Sequence, residues 1–130
     1  MENIIYLTLE QILIIHEDQV DRYGGTPGLR DLPLLESAVL RPQTTFSGKD
    51  LYETHFEKAA ALMHSIMMNH AFIDGNKRTG VVAALVYLEL NNIKISIEEN
   101  QLVEAVLLIE KEKWKIKEIA KWFENNSIKN

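Results

Sequence analysis

Apolar residues recur at helical spacing along most of this chain, and the runs are punctuated by residues that start or stop helices. Thr8 and Gln11 stand at capping-box spacing ahead of Leu9, Ile12, Ile15 and Val20, and Gly24-Gly25 ends that first helix. Asp31 is the expected N-cap of a short helix carrying Leu32, Leu35 and Leu40. Pro42 closes it, because the residue before a proline is pushed away from helical angles. Gln43 to Asp50, with Thr44, Thr45, Phe46 and Gly48, has no helical period and predicts an exposed loop or small hairpin. Thr54 and Glu57 repeat the capping box, and Phe56, Ala60, Met63, Met67 and Met68 lay an apolar stripe to about Asn69. After a short loop, His70 to Gly75, the run Val81 to Leu90 is apolar on almost every side, as in a helix buried within a core. Asn91-Asn92 ends it. Ser96 with Glu99 predicts the cap of a helix bearing Leu102, Val106 and Ile109, and Ile116, Ile119, Ala120 and Phe123 describe the last. The pattern therefore predicts an all-α fold, a single domain over 1–130. It has about six helices, a central buried helix and one short hairpin.

Composition narrows the function. The 130 residues fit one domain, and 46% apolar content is enough for a core without crosslinks. The absence of cysteine excludes disulfides, thiolate catalysis and Cys-ligated zinc. No signal-peptide pattern and no run of ~18–20 apolar residues occurs, so a cytoplasmic protein away from membranes is expected. Fourteen basic against nineteen acidic residues give a charge of −5, which disfavours direct nucleic-acid binding.

The segment HAFIDGNKRTG, His70 to Gly80, carries more chemistry than a turn requires. The start of the following helix presents unpaired N–H groups and a positive dipole end, which suit an anion. Gly75 lets the backbone approach a phosphate, and Asn76 can cap the helix or donate its amide. Lys77 and Arg78 are cations within reach of a polyphosphate, Arg78 in a bidentate way. Asp74 is a hard oxygen ligand suited to Mg²⁺ shared with substrate phosphates. His70 offers an imidazole, the side chain most often used to take a proton from an incoming hydroxyl. Phe72 is expected to wedge into the core and anchor the loop.

This motif, HxFxDGNKRT, closely resembles the signature of the Fic/Doc family, and its N(K)RT form resembles the Doc branch, the death-on-curing toxins of bacterial toxin–antitoxin pairs. LRDLPLLESAVLRPQ and LYETHFEKAAALMHSI are similar to the segments preceding the signature in Doc-like proteins, so the resemblance covers about Leu7 to Ile93. It implies that His70 is the catalytic histidine and Asp74 the Mg²⁺ ligand. Gly75, Asn76, Lys77 and Arg78 form the nucleotide-phosphate cradle, and Gln43, Thr44, Thr45 and Phe46 fall in a flap that aligns the target. AMP-transferring Fic proteins have a glycine where Lys77 stands and a second arginine where Val81 stands. Doc-like proteins share both departures and are understood to bind ATP reversed. The resemblance thus implies γ-phosphoryl transfer from ATP to a hydroxyl of elongation factor Tu, stopping translation. AMP transfer to a protein hydroxyl is the alternative, and a catalytically silent protein-binding module is the alternative from another class. The inhibitory pattern (S/T)xxxE(G/N) is absent at both Glu99-Asn100 and Glu124-Asn125, so restraint by an antitoxin helix in a groove near the site is expected.

Other polar and aromatic residues have plainer readings. His16, His55 and His64 match no metal spacing and are expected at surface or partly buried helix positions. Met63, Met67 and Met68 are expected core filler, Trp114 and Trp122 packing for the last helices, and the Lys111 to Lys121 charges a solvated face.

Overall fold

The computed structural model describes residues 3–128, which form six α-helices and one two-stranded ribbon. Helix α1 (Leu9–Tyr23) opens on the Thr8–Gln11 capping box and stops at Gly24, whose φ is 83°. Helix α2 (Leu32–Leu40) starts from Asp31, whose carboxylate accepts the Leu34 N–H at 3.0 Å. Its buried face is Leu35, Ala38 and Val39 rather than the predicted leucine set, and Leu32 and Leu40 are exposed. A 3₁₀ turn (Arg41–Gln43) leads into strands β1 (Thr45–Phe46) and β2 (Lys49–Asp50), paired antiparallel as a small hairpin. The turn residues Ser47 and Gly48 both have positive φ, 53° and 78°, which matches the twist of a two-residue hairpin.

Helix α3 (His55–Asn69), capped by Thr54, and helix α4 (Asn76–Leu90) form the centre. Helix α3 packs against α2, α4, the 3₁₀ turn and α6 (Ile116–Asn125). Its residues from Lys58 to Met63 are all buried, so α3 is the more enclosed of the central pair. Met63 and Met67 lie in the core, whereas Met68, a helical step round from Met67, is 44% exposed. Gly80 explains how the two helices approach. A Cβ there would lie 3.0 Å from the Met63 carbonyl oxygen and 3.2 Å from Met67 Cγ.

Helix α5 (Glu99–Lys111) departs from the sequence expectation at its start. The N-cap is Glu98, whose N–H donates to Gln101 Oε1 at 2.9 Å. Ser96 cannot cap it, because its N–H donates to the Asn126 carbonyl at 2.8 Å and the flanking Ile95 bridges Ser127. The α4–α5 connection is thereby zipped to the segment after α6. Val82 and Leu85 of α4 are only half-buried because they face a cavity of about 760 Å³ shared with α5 and the end of α1. Among the described residues no helix is long and apolar enough to cross a membrane.

Candidate active site

The loop between α3 and α4 is built from its ends inward. His70 is the C-cap of α3 in the left-handed region, φ 48° and ψ 46°, a conformation that costs about 1–3 kcal/mol for a non-glycine and is kept only where neighbours fix it. Those neighbours are visible. Arg30 Nε donates to the His70 carbonyl at 2.7 Å and Arg30 Nη2 to the Asn69 carbonyl at 3.3 Å, satisfying the last acceptors of α3. The Arg30 and Asp31 N–H groups both donate to the Ala71 carbonyl, at 2.7 and 3.0 Å. Ile73 N–H donates to the Gly28 carbonyl at 3.1 Å, and Leu29 bridges Phe72. The backbone is thus gripped from outside while the His70 side chain stays exposed.

Asn76 closes the loop from within. Its Oδ1 accepts the Phe72 N–H and its Nδ2 donates to the Phe72 carbonyl, both at 3.0 Å. The side-chain amide is therefore engaged, and the residue's N–H is what remains for a ligand. Nor is Asn76 the helix cap. That position belongs to Gly75 (φ 79°), and no side chain caps the first turn of α4. Uncapped N–H groups at a helix start are an anion site by dipole and by donor geometry.

Phe72 is 2% exposed and stacks on His16 of α1, with ring centroids 3.7 Å apart and planes 6° from parallel. His16 Nε2 donates to the Asp74 carbonyl at 2.7 Å. One buried imidazole of α1 thus supports the loop's ring and its backbone together. The Asp74 carboxylate is exposed and accepts two backbone N–H groups, Gly75 at 2.9 Å and Thr26 at 3.2 Å. The bond from Thr26 and then that from Gly75 hold its carboxyl below the usual carboxylate range, with Arg78 and His16 adding attraction. Asp74 is thus fixed as an anion beside the open helix start. A lone, oriented carboxylate fits a magnesium ion whose other ligands are waters and phosphate oxygens. Among the described residues no cluster of three or more metal-ligating side chains exists.

The cations diverge. The Arg78 guanidinium lies 5.3 Å from the Tyr23 ring, against the end of α1, on the side where it acts on Asp74. Lys77 Nζ pairs with Glu110 Oε2 of α5 at 2.8 Å, across the mouth of the α4–α5 cavity. Residues Gln43 to Phe46 lie at the end of the 3₁₀ turn and in β1, in elements other than the loop, with Phe46 75% exposed. The structure carries His70, Phe72, Asp74, Gly75, Asn76 and Arg78 on one loop and the helix start that follows it, and turns Lys77 towards α5.

Sequence reasoning missed His16, Arg30 and Thr26. His16 carried one signal: it falls on the stripe Ile12, His16, Val20, and all three are buried. Arg30 and Thr26 carried none, because their partners are loop groups distant in the chain.

Comparison with known proteins agrees with the motif. The family model described as Fic/DOC family matches residues 6–88. The chain is 45% identical over 76 residues to "Toxin Doc" of Mycolicibacterium smegmatis, covering 58% of each protein. It is 29% identical over 90 residues to "Protein kinase doc" of Escherichia phage P1, covering 69% of this chain and 71% of that one. The shared segment thus spans a little over half the length of the mycobacterial relative. Holding the signature on a loop between two central helices, in a chain matched from Tyr6 to Leu88, this protein belongs to the Fic/DOC family.

Proposed function

We propose that this protein is a Doc-type toxin that moves the γ-phosphoryl group of ATP to a hydroxyl of a target protein of the elongation factor Tu class. The observation that carries the reading is the exposed His70 imidazole, set on a strained and externally gripped turn at one end of the loop. At the loop's other end lies an uncapped helix start with an oriented anionic carboxylate. His70 accepts the proton of the incoming hydroxyl on a ring nitrogen. The first N–H groups of α4, at Asn76 and Lys77, with the Arg78 guanidinium, hold the phosphates. Gly75 keeps the backbone open to them. Asp74 is the residue that would hold Mg²⁺, which would supply charge neutralisation at the phosphates. Phosphoryl transfer asks mainly for positioning and charge neutralisation, and these groups supply both. Lys77 reaches the phosphates only by leaving Glu110, an exposed pair of the kind worth about 0–1 kcal/mol.

Restraint comes from an antitoxin helix seated in the cavity between α4 and α5. Val82, Leu85, Leu102, Val106 and Leu107 form an apolar floor there, and Lys77, Arg78, Glu98 and Glu110 a charged rim. The amphipathic lining suits an amphipathic helix, and Lys77 on the rim is a residue of the helix start that follows the loop. The phage relative carries the name of a protein kinase and the mycobacterial one that of a toxin, and both support the reading.

ATP labelled at the γ or at the α position tests it on elongation factor Tu. Label from the γ position should appear on the target and vanish with His70→Ala. Transfer from the α position would establish the AMP-transferase alternative. Transfer of neither, with growth unimpeded when the chain is expressed alone, would leave the binding-module reading.

A further inference from the structure

Away from the loop, the molecule buries one charge in a place that packing alone would fill with an apolar side chain. Lys58 of α3 is 1% exposed. Its Nζ donates to the Tyr52 carbonyl at 2.6 Å and to Asp50 Oδ2 at 3.1 Å, and sits 5.9 Å from the Tyr6 ring. A buried ammonium is costly and adds little net stability over a hydrophobic replacement, so what it holds is the informative part. Both oxygens belong to the chain leaving the hairpin: Asp50 is the last residue of β2, and Tyr52 follows it.

The other foot of the hairpin is clamped to the same helix. Arg41 Nε donates to the Tyr52 hydroxyl at 2.8 Å, and Arg41 Nη1 reaches Ser65 Oγ of α3 at 3.3 Å. The ribbon itself is two residues per strand with an exposed tip, too small to hold its own place. Helix α3 then runs without a break from Lys58 to Asn69, and His70 is its C-cap. At the α-helical rise, Lys58 and His70 lie about 18 Å apart along one rigid rod.

We propose that Lys58 is a positioning residue that sets the hairpin's height along α3, and so its register against His70. The step to catalysis rests on the proposed reading that the hairpin aligns the target protein. Lys58 touches no reacting atom. It fixes the strand on which the target lies, so its loss acts on capture and alignment of the protein target.

The test uses the full chain with Lys58→Met, Asp50→Ala and Asp50→Asn. Amide hydrogen exchange at Phe46, Lys49 and Leu51, the ladder donors of the ribbon, should rise at least tenfold in Lys58→Met and in Asp50→Ala. Exchange in the centres of α3 and α4 should stay at the wild-type rate. Asp50→Asn keeps an oxygen for the ammonium and should retain most of the protection. With elongation factor Tu as target, Asp50→Ala should raise the KM for protein several-fold with kcat changed less than twofold. Asp50 is on the surface side of the pair, so this variant decides the matter if Lys58→Met does not fold. Hairpin exchange unchanged in Asp50→Ala overturns the proposal. Equal losses across hairpin and helices, with apparent kcat falling and KM unchanged, also overturn it by making Lys58 a general stabiliser. A wild-type chain that modifies no elongation factor Tu sinks the target reading instead, and the exchange rates then decide the anchor by themselves.

Discussion

At the residue scale, the loop's geometry depends on bonds whose loss has separable signatures. His16→Ala removes both the ring under Phe72 and the donor to the Asp74 carbonyl. It should cost roughly 1–3 kcal/mol of stability, and about 10²-fold in transfer rate, the penalty typical of a misplacement of about 1 Å. His16→Phe keeps the stack, so thermal melting of the two variants alongside transfer assays separates ring from hydrogen bond. His70→Ala should lose 10²–10⁴-fold in transfer, the usual worth of a general base, with the melting temperature unchanged because the imidazole is exposed. Acid weakens the fold in two windows. His64 is held below its ordinary value by burial and then by Arg41, so the folded state binds fewer protons there. Its contribution is complete above the usual histidine range and lost as pH falls through it. Asp74 is also depressed, and its contribution is complete above the usual carboxylate range and lost as pH falls further. Melting curves across about pH 7 to pH 3 should show the lower step flattened in Asp74→Asn and the upper one in His64→Gln. The motif residues themselves were legible in the sequence, because their types and offsets are fixed by chemistry. His16 and Arg30 were not, because a histidine on an apolar stripe and an arginine after a glycine loop say nothing of carbonyls 39 to 58 residues away.

At the element scale, caps placed the starts of α1, α2 and α3 and the apolar stripe that of α6, since both signals are local and so readable, while α4 starts from Gly75 with no side-chain cap. Helix α5 defeated that reading. Ser96 has the right residue type, but its N–H is drawn to the chain after α6, and Gln101 completes the cap at Glu98. A long-range pairing overrode a local signal. The contact of α3 with α4 was equally hidden, since one helical glycine looks like a weakness of about 0.5–1 kcal/mol relative to alanine. In the folded molecule Gly80 is where the two helices meet over Met63 and Met67. Gly80→Leu should therefore push α4 away from α3 and cost about 1–3 kcal/mol or more by overpacking, which urea denaturation can measure. Because both ends of the active loop sit on these helices, the same variant should lose transfer activity even at temperatures where it stays folded.

At the scale of the whole molecule, the cavity between α4 and α5 leaves Val103 54% and Leu107 59% exposed, an apolar face on a chain of net charge −5. With an antitoxin helix bound there at about a hundred times its Kd, the unfolding free energy should rise by about 2.7 kcal/mol. Leu107→Glu should erase that gain and leave the free chain's melting temperature within about a degree, since the side chain is already in water. A stabilisation surviving Leu107→Glu would move the partner elsewhere. The bonds from Arg30, Thr26 and His16 to residues 69–74 have a consequence for heredity as well as for chemistry. The eleven letters HAFIDGNKRTG should fail as a transplant: pasted between two foreign helices, they arrive without the clasp that His16, Thr26 and Arg30 provide. A gene fragment or a decayed relative that keeps the letters and loses the clasp is a fossil, however well its signature scores.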